Sequence, residues 1–312
     1  MNLVCLIGEQ PIPNLLPILH LRPARALLVH SNNEGSRKAA LRLQGLCAVK
    51  GIQADVLDVG DAYRVETIYQ KIREKVTAQP AGEWRFNLTG GTKLMSLAAL
   101  QTAADLKMPC VYYQTEGERG RQAGKLLHYR FESGGHLVED PPSGEILPAL
   151  LTLDDYLRAH LEGYQKKPVD KTQTGWVWEE AVYQTLKPRV DEILRGIQPQ
   201  GVKEQIEIDL LIRVGNQVGV IEVKTGGEGS GKHAVDQLTT AAAREYLGTY
   251  AVRFLVTQTA KEDRYKSLAQ TLRVNVIELR GPIRGGRLNE MDEKTLLDKI
   301  QQKMPALGGN SL

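Results

Sequence analysis

The chain has 312 residues, of which 42% are hydrophobic and 25% charged, and its formal net charge is +3. This is the composition of a globular protein with a sizeable core, long enough for two domains, and the charge is too small to identify a nucleic-acid partner. The first residues lack the basic flank of a signal peptide and no apolar run approaches a membrane span, so we expect a cytoplasmic protein without a membrane segment. The widely spaced Cys5, Cys47 and Cys110 predict buried free thiols.

The first half of the sequence alternates strand and helix patterns. Such alternation predicts βαβ units and therefore a parallel sheet. The predicted strands are 3–7, 26–30, 54–59, 85–88, 110–113 and 126–131, and the predicted helices lie near 14–21, 36–50, 64–78 and 94–106.

One loop of this half carries a chemical signal. A strand ends at Leu88, a helix begins near Leu94, and the loop between them contains two hydroxyls, two glycines and a lysine, namely Thr89, Gly90, Gly91, Thr92 and Lys93. Amide groups at a helix N-terminus, together with glycines that allow close approach, predict an anion-binding cradle. The alternative is a tight turn that needs glycine only for its backbone dihedral angles.

The middle of the chain contains two candidate linkers, the Pro-rich segment 139–148 and the Lys-rich segment 166–174. Between them, residues 151–164 predict a helix with Thr152 as its N-cap. We therefore predict one domain at 1–140, a linker and helix at 141–170, and a second domain at 171–312.

In the second predicted domain, the most informative segment is EQIEIDLLIRVGNQVGVIEVK, residues 204–224. Apolar residues alternate on both sides of Gly215 and Asn216, which predicts two strands joined by a two-residue hairpin turn. That turn fixes the register, so Asp209 faces Glu222 and Glu207 faces Lys224. All four charged side chains then share one face of the hairpin.

Opposed carboxylates repel each other unless a cation lies between them. Oxygen ligands favour Mg²⁺ or Mn²⁺, so Asp209 and Glu222 are candidate metal ligands. Lys224 would then orient and stabilise the reacting group. The alternative is a solvated hairpin face on which Glu207 and Lys224 form an ordinary ion pair.

A helix predicted from Gly175 places Glu179 on its flank, upstream of the hairpin. The order of these motifs resembles the PD-(D/E)xK nuclease fold, and the matching residues are Gly175, Glu179, Glu207-Ile208-Asp209 and Glu222-Val223-Lys224. The resemblance implies that Asp209 and Glu222 are catalytic metal ligands, that Glu179 is an additional metal or water ligand, and that Lys224 is the catalytic lysine. Glu180 is the competing choice for the helix carboxylate.

The segment NLTGGTK, residues 87–93, resembles the signature of CARF domains, the Rossmann-like sensors of cyclic oligoadenylate in type III CRISPR immunity. The first strand and its loop, IGEQP leading to Asn14, resemble the other wall of the CARF pocket at the carboxyl ends of the strands. The ligand-binding residues implied are Gly8, Gln10, Asn14, Thr89, Gly90, Gly91, Thr92 and Lys93.

A CARF domain followed by a PD-(D/E)xK domain resembles the CRISPR ancillary nucleases activated by cyclic tetra-adenylate. The resemblance implies an α/β protein with an N-terminal Rossmann-like CARF domain on a parallel sheet and a C-terminal restriction-endonuclease-like domain. It further implies a homodimer with the cyclic ligand on its two-fold axis, Mg²⁺ or Mn²⁺ as cofactor, and DNA or RNA as substrate. The number of adenylates in the messenger is left open.

Other functions are compatible with parts of this pattern. The runner-up is a DNA repair or restriction endonuclease whose first domain binds a nucleotide or only dimerises. A metal-independent ring nuclease that degrades the messenger in the sensor pocket could coexist with the main activity. A HEPN ribonuclease would carry R-x(4–6)-H on a helix, whereas the matches here fall in predicted strands or loops. A sensor-linked transcription factor would place a reading helix where the hairpin lies.

Overall fold

The computed structural model describes residues 1–79, 82–116, 123–168, 175–200, 207–225, 247–258 and 269–305. The chain divides into two units. The first comprises Met1–Glu116, Gln122–Leu151 and Arg158–His160, and the second Gly117–Arg121, Thr152–Leu157 and Leu161–Leu312. Within the described ranges, no helix has the length and apolar character needed to cross a membrane.

The first unit alternates strands and helices around one sheet of eight strands. Its elements are β1 (Asn2–Leu6), α1 (Ile12–Leu21), β2 (Arg25–His30), α2 (Glu34–Val49), β3 (Gln53–Asp58), α3 (Val65–Thr77), β4 (Trp84–Asn87), α4 (Lys93–Asp105), β5 (Cys110–Glu116), β6 (Ala123–Phe131), β7 (Leu137–Glu139) and β8 (Glu145–Ile146). The strand order is β3-β2-β1-β4-β5-β6-β7, with β8 beside β6. The five strands β3, β2, β1, β4 and β5 are parallel to one another, and the pairs that β6 forms with β5, β7 and β8 are antiparallel. The predicted α/β fold of this unit, with parallel strands joined by helices, is confirmed.

After its first residue, Asn2, the central strand β1 is apolar because both of its faces are covered. Val4 and Leu6 pack in one core cluster with Ile68 of α3 and Ala98 of α4. Leu3, which points to the opposite face, is also fully buried. The three cysteines are free and buried, as predicted.

The structure differs from the prediction at the Pro-rich segment 139–148. Glu139 still pairs with Tyr129 in the sheet, and Ile146 pairs with Lys125. The carboxylate of Glu145 also lies 3.0 Å from His20 Nε2. These contacts bind the segment to the first unit as part of its sheet instead of leaving it as a linker.

The remaining elements are α5 (Leu153–His160), β9 (Tyr164–Lys166), α6 (Trp176–Leu186), β10 (Glu192–Pro199), β11 (Ile208–Val214), β12 (Gln217–Lys224), β13 (Val252–Thr257), β14 (Val274–Glu278) and α7 (Glu290–Lys303). All belong to the second unit except the last three residues of α5, Arg158–His160. The six strands form one sheet in the order β14-β13-β12-β11-β10-β9. Neighbours from β9 to β12 are antiparallel and those from β12 to β14 are parallel. Sequence analysis predicted α5, α6, β11 and β12 but not the other strands.

The N-cap predicted for α5 is present. Thr152 Oγ1 accepts a hydrogen bond from Asp155 N at 3.0 Å, and the Asp155 carboxylate accepts from Thr152 N, which together form a capping box. Residues 169–174 of the second predicted linker lie outside the described residues.

The hairpin register is the one predicted from the turn. Val214 pairs with Gln217, and the paired region runs to Leu210 and Ile221. Gly215 has φ 61°, a conformation that glycine adopts without strain. One face of the hairpin packs against α6 and α7 in a continuous apolar core, which includes Leu210, Ile212, Ile221, Ala181, Val182 and Leu296.

This core predicts a large cost for truncating Leu210, which is 0% exposed. We expect Leu210→Ala to lower the free energy of unfolding by about 2–5 kcal/mol, because it removes apolar contacts and leaves a cavity. Met291→Ala is the matched control, since Met291 is 80% exposed. Urea titration followed by tryptophan fluorescence measures both; equal midpoints would contradict this packing.

Candidate functional site

The predicted anion cradle lies at the carboxyl edge of the first sheet. The chain leaves β1 through Gly8 and leaves β4 through residues 88–92, and these two parallel strands are neighbours. The strand order reverses between them, because β2 and β3 lie on one side and β5 on the other. Open α/β sheets bind ligands in the crevice at such a switch point.

Backbone contact explains the glycines of this cradle. A Cβ on Gly90 would lie 1.8 Å from the carbonyl oxygen of Leu6, so any side chain there would displace the loop. Gly91 has φ +70°, and a Cβ on Gly8 would lie 3.5 Å from Gly91 N. The loops after β1 and β4 therefore meet backbone to backbone, and a Cβ on Gly90 would prevent this approach.

Thr92 forms the N-cap of α4. Its hydroxyl oxygen accepts from Met95 N at 3.2 Å and donates to the carbonyl oxygen of Ala62 at 3.1 Å. The next residue, Lys93, is exposed at the start of the helix. A cation and the helix N-terminus thus lie together at the cradle, where both favour an anion.

A buried chain of amides supports the cradle from below. Asn14, which is 0% exposed, donates to the Leu6 carbonyl at 2.8 Å and accepts from the Asn87 amide at 2.9 Å. Thr89 donates from its hydroxyl to Asn87 Oδ1 at 2.6 Å and accepts from Tyr113 N at 2.6 Å. Asn14 is thus part of the scaffold beneath the cradle in this structure, and its predicted contact with the ligand stays a prediction.

Asn87 was missed as a functional residue, although it was quoted within the CARF signature. Its side chain is 0% exposed and links the loops after β1 and β4 through Asn14 and Thr89. A polar residue at the end of an apolar strand is the signal that could have identified it. Gln10, a predicted ligand residue, lies half-buried in the first of these loops.

The second site is an acidic cluster at the open end of the β11–β12 hairpin. Glu222 is 0% exposed, and Lys224 Nζ lies 2.7 Å from its carboxylate. Asp209 accepts a hydrogen bond from Val223 N at 2.8 Å, beyond the last paired residues of the hairpin. The alternative of a solvated hairpin face is therefore wrong.

Burial raises the pKa of each carboxyl group in the cluster. Burial raises the pKa of Glu179 to about 7, and the charge of Asp209 contributes to the increase. Burial and the charge of Asp209 also raise the pKa of Glu222, against the opposing effect of Lys224. For Asp209, burial raises the pKa and the charge of Lys224 lowers it. The structure thus brings Glu179 within electrostatic reach of the hairpin acids.

The neighbouring glutamates have cationic partners of their own. Glu180 accepts hydrogen bonds from Arg195 at 2.6 Å and from Gln184 at 2.7 Å. Glu207 pairs with Lys167 at 2.7 Å. Lys224 pairs with Glu222 at 2.7 Å, whereas Glu207 is paired with Lys167. Arg195 and Lys167 were missed by sequence analysis, because Gly196 interrupts the alternation of β10 and Lys167 falls in a predicted linker.

The donor set fits a hard divalent cation. Although Lys224 is close, neither carboxylate oxygen of Glu222 has a hydrogen bond of acceptable geometry from a described residue. One lysine cannot neutralise three neighbouring carboxylates, and unpaired buried charge is costly. Across the described ranges no three Asp, Glu, His or Cys side chains are gathered tightly enough to enclose an ion. Metal ligation by Glu179, Asp209 and Glu222 therefore stays a prediction.

The chain is similar to a known domain family and to several solved structures. Residues 2–128 match the family model of the Card1 CARF domain. A search of curated proteins finds no match. Can2 from Sulfobacillus thermosulfidooxidans, solved in complex with cyclic tetra-adenylate, is 16% identical with a TM-score of 0.68, and the match covers 96% of this chain and 97% of Can2.

Two further solved structures share the architecture. Protein VC1899 from Vibrio cholerae is 15% identical with a TM-score of 0.72 and 99% coverage of both chains. A type III CRISPR defence DNA nuclease activated by cyclic oligoadenylate is 16% identical with a TM-score of 0.63, and the match covers 98% of this chain and 52% of that one. At these identities the likeness shows the fold. Residues 2–128 thus match the CARF domain family, and the chain as a whole shares the α/β fold of these solved structures.

Proposed function

We propose that this protein is a metal-dependent nuclease of type III CRISPR defence, activated by a cyclic oligoadenylate, with cyclic tetra-adenylate as the first candidate. The observation that carries the proposal is the buried acidic cluster beside Lys224, in a chain whose other unit is a CARF domain. Phosphodiester bonds in DNA are the proposed substrate and those in RNA the second candidate. The sensor is assigned to residues 1–140 and the nuclease to residues 171–312.

Ligand binding is assigned to the carboxyl edge of the first sheet. The amides of Gly90 and Gly91 and the ammonium of Lys93 suit a phosphate or ribose of the messenger, and Gly8 and Gln10 form the facing loop. The Can2 complex with cyclic tetra-adenylate supports this class of ligand. A cyclic ligand with internal two-fold symmetry suits an isologous homodimer, with one ligand for two chains.

Glu179, Asp209 and Glu222 are the residues that would hold Mg²⁺ or Mn²⁺. When bound, such an ion polarises a phosphoryl oxygen and lowers the pKa of a coordinated water. Lys224, paired with Glu222 at 2.7 Å, is positioned to stabilise negative charge that develops at the phosphate. Glu179, with a pKa of about 7, can hold or release a proton near neutral pH.

Activation requires the ligand to bind one conformation of the protein better than the other. An activation of roughly 100-fold corresponds to about 2.7 kcal/mol of preferential binding to the active arrangement. The deciding experiment is a cleavage assay on supercoiled DNA and on single-stranded RNA with Mn²⁺, with and without cyclic tetra-adenylate. Equal cleavage with and without the messenger would refute ligand control, and no cleavage of either substrate would refute the nuclease.

The acidic cluster predicts the effect of neutral substitutions. We expect Asp209→Asn and Glu222→Gln each to reduce cleavage by about 10²-fold or more, and Lys224→Ala to reduce turnover more than metal affinity. Messenger binding, measured by calorimetry, should be retained in all three. Asp298→Asn, at an exposed position of α7, is the control and should cleave normally. Full activity of Asp209→Asn would remove the assignment.

The raised pKa of Glu179 predicts a pH dependence of stability. The carboxyl titrates near 4.3 when unfolded and near 7 when folded, so its contribution to stability is full below the unfolded pKa and is lost as pH rises to about 7. Without divalent ions, Glu179→Gln should therefore gain thermal stability relative to wild type between pH 5 and pH 7.5. Mn²⁺ should stabilise wild type more than the variant at pH 7.5. If the melting temperatures of wild type and Glu179→Gln changed equally with pH over this range, the raised pKa of Glu179 would be contradicted. Asp298→Asn is again the control.

The cradle predicts two different losses of messenger binding. Lys93→Ala should weaken binding of cyclic tetra-adenylate and reduce its salt dependence, because one ionic contact is lost. Gly90→Ala should be more harmful, since its Cβ would lie 1.8 Å from the Leu6 carbonyl. Lys75→Ala, in α3, is the control. Calorimetry gives affinity and stoichiometry. Wild-type affinity in both variants would exclude this pocket. A stoichiometry of one ligand per chain would exclude a site shared between the two chains of a dimer.

A further inference from the structure

Two cationic side chains, Arg195 and Lys187, lie over the ring of Tyr183, and we call this group the stack. Glu180, which pairs with Arg195, directly follows Glu179 of the acidic cluster in the sequence. The Arg195 guanidinium carbon is 4.5 Å from the centre of the Tyr183 ring, and Lys187 Nζ is 5.7 Å from the same centre. Glu180 ties the stack together through its 2.6 Å ion pair with Arg195. Glu180 and Tyr183 of α6 and its C-cap Lys187 follow helical spacing, and Arg195 reaches them from β10.

The stack lies close to the proposed site of cleavage. Glu180 follows Glu179 directly in α6. Arg195 pairs in register with Leu210, on the face of the sheet that α6 covers, and its charge acts on the Glu179 carboxyl. A group bound at the stack would therefore lie near Glu179, one of the residues proposed to hold the metal ion.

The stack has donors to spare. A guanidinium has five N–H donors in a planar fork, and among the described residues only Glu180 accepts a hydrogen bond from Arg195. Lys187 is exposed and pairs with no carboxylate of the described chain. With Glu180 ionised, one negative and two positive charges leave the stack with a net charge of +1.

A guanidinium held by a ring and a carboxylate is already oriented before its ligand arrives. It therefore loses less side-chain freedom on binding than a mobile arginine, and its planar fork matches two phosphate oxygens. If the group served only to hold α6 against β10, the ion pair between Arg195 and Glu180 would be sufficient. Lys187, whose Nζ lies 5.7 Å from the ring centre, is exposed and extends the positive surface at the end of the helix.

We propose that Arg195 and Lys187, arranged on Tyr183, bind the sugar-phosphate backbone of the nucleic-acid strand next to the scissile bond. The inference rests on the proposed nuclease function and names a substrate-positioning surface for it. The contacts are to phosphate, so the surface binds single-stranded DNA and RNA through the same chemistry and carries no base preference.

The test measures binding of fluorescent single-stranded DNA and RNA oligonucleotides to the full chain, with cyclic tetra-adenylate and with Ca²⁺ in place of Mn²⁺, from 50 to 300 mM salt. Lys187→Ala should lower the slope of log affinity against log salt by about 0.7, the value for one lost phosphate contact on a single strand. Arg195→Ala should weaken binding about tenfold, and Arg195→Lys should recover only part of it. Lys299→Ala, on α7, is the matched control.

Cleavage kinetics separate positioning from chemistry. Lys187→Ala should raise KM several-fold with kcat nearly unchanged, because the contact is made before and during the reaction. A melting temperature that falls in Arg195→Ala, with salt slope and KM unchanged in both Arg195→Lys and Lys187→Ala, would overturn the proposal and leave a structural clamp. Failure of the wild type to bind or cut either nucleic acid would instead refute the proposed function.

Discussion

The burial of carboxylates in an apolar sheet is the constraint on which the second unit depends. Glu222 lies on β12 between apolar neighbours, and it is fully buried beside Asp209 and Lys224. Ionised groups in such a place cost free energy unless cations and hydrogen bonds compensate them. The ion pairs of Lys224 with Glu222 and of Lys167 with Glu207 supply part of that compensation. The remaining negative charge is what a divalent cation would neutralise.

The first unit meets a different constraint, because its chemistry is carried by backbone. Gly90 and Gly91 permit contacts that a side chain would block, and Asn14, Asn87 and Thr89 hold the resulting loop by hydrogen bonds beneath it. Lys93 is exposed at this edge, and in the proposed function it supplies ionic attraction for the ligand, while the amide network sets the shape of the loop.

Sequence was sufficient where local rules act alone. The alternation of apolar runs predicted β1 to β6 and α1 to α4, but not the short strands β7 and β8. The two-residue turn at Gly215 and Asn216 determined the register of β11 with β12. Sequence was insufficient where partners come from distant segments. Nothing in the order of residues pairs Arg195 with Glu180 or Lys167 with Glu207, and Gly196, which has φ +60°, obscured β10. The burial of Asn14 could not be predicted either, because burial is decided by tertiary packing.

The position of β12 has a consequence for control of the proposed nuclease. This strand is hydrogen-bonded on both sides, antiparallel to β11 and parallel to β13, with Glu222 in register with Leu255. Asp209 accepts a hydrogen bond from Val223 N of the same strand, so Asp209 and Glu222 would form the fixed part of the proposed catalytic site. Glu179 is carried by α6, which joins the sheet through side chains instead of backbone pairing. Any on-off switch should therefore work by docking the helix or admitting the strand, and an inactive molecule would keep its two hairpin acids already in place.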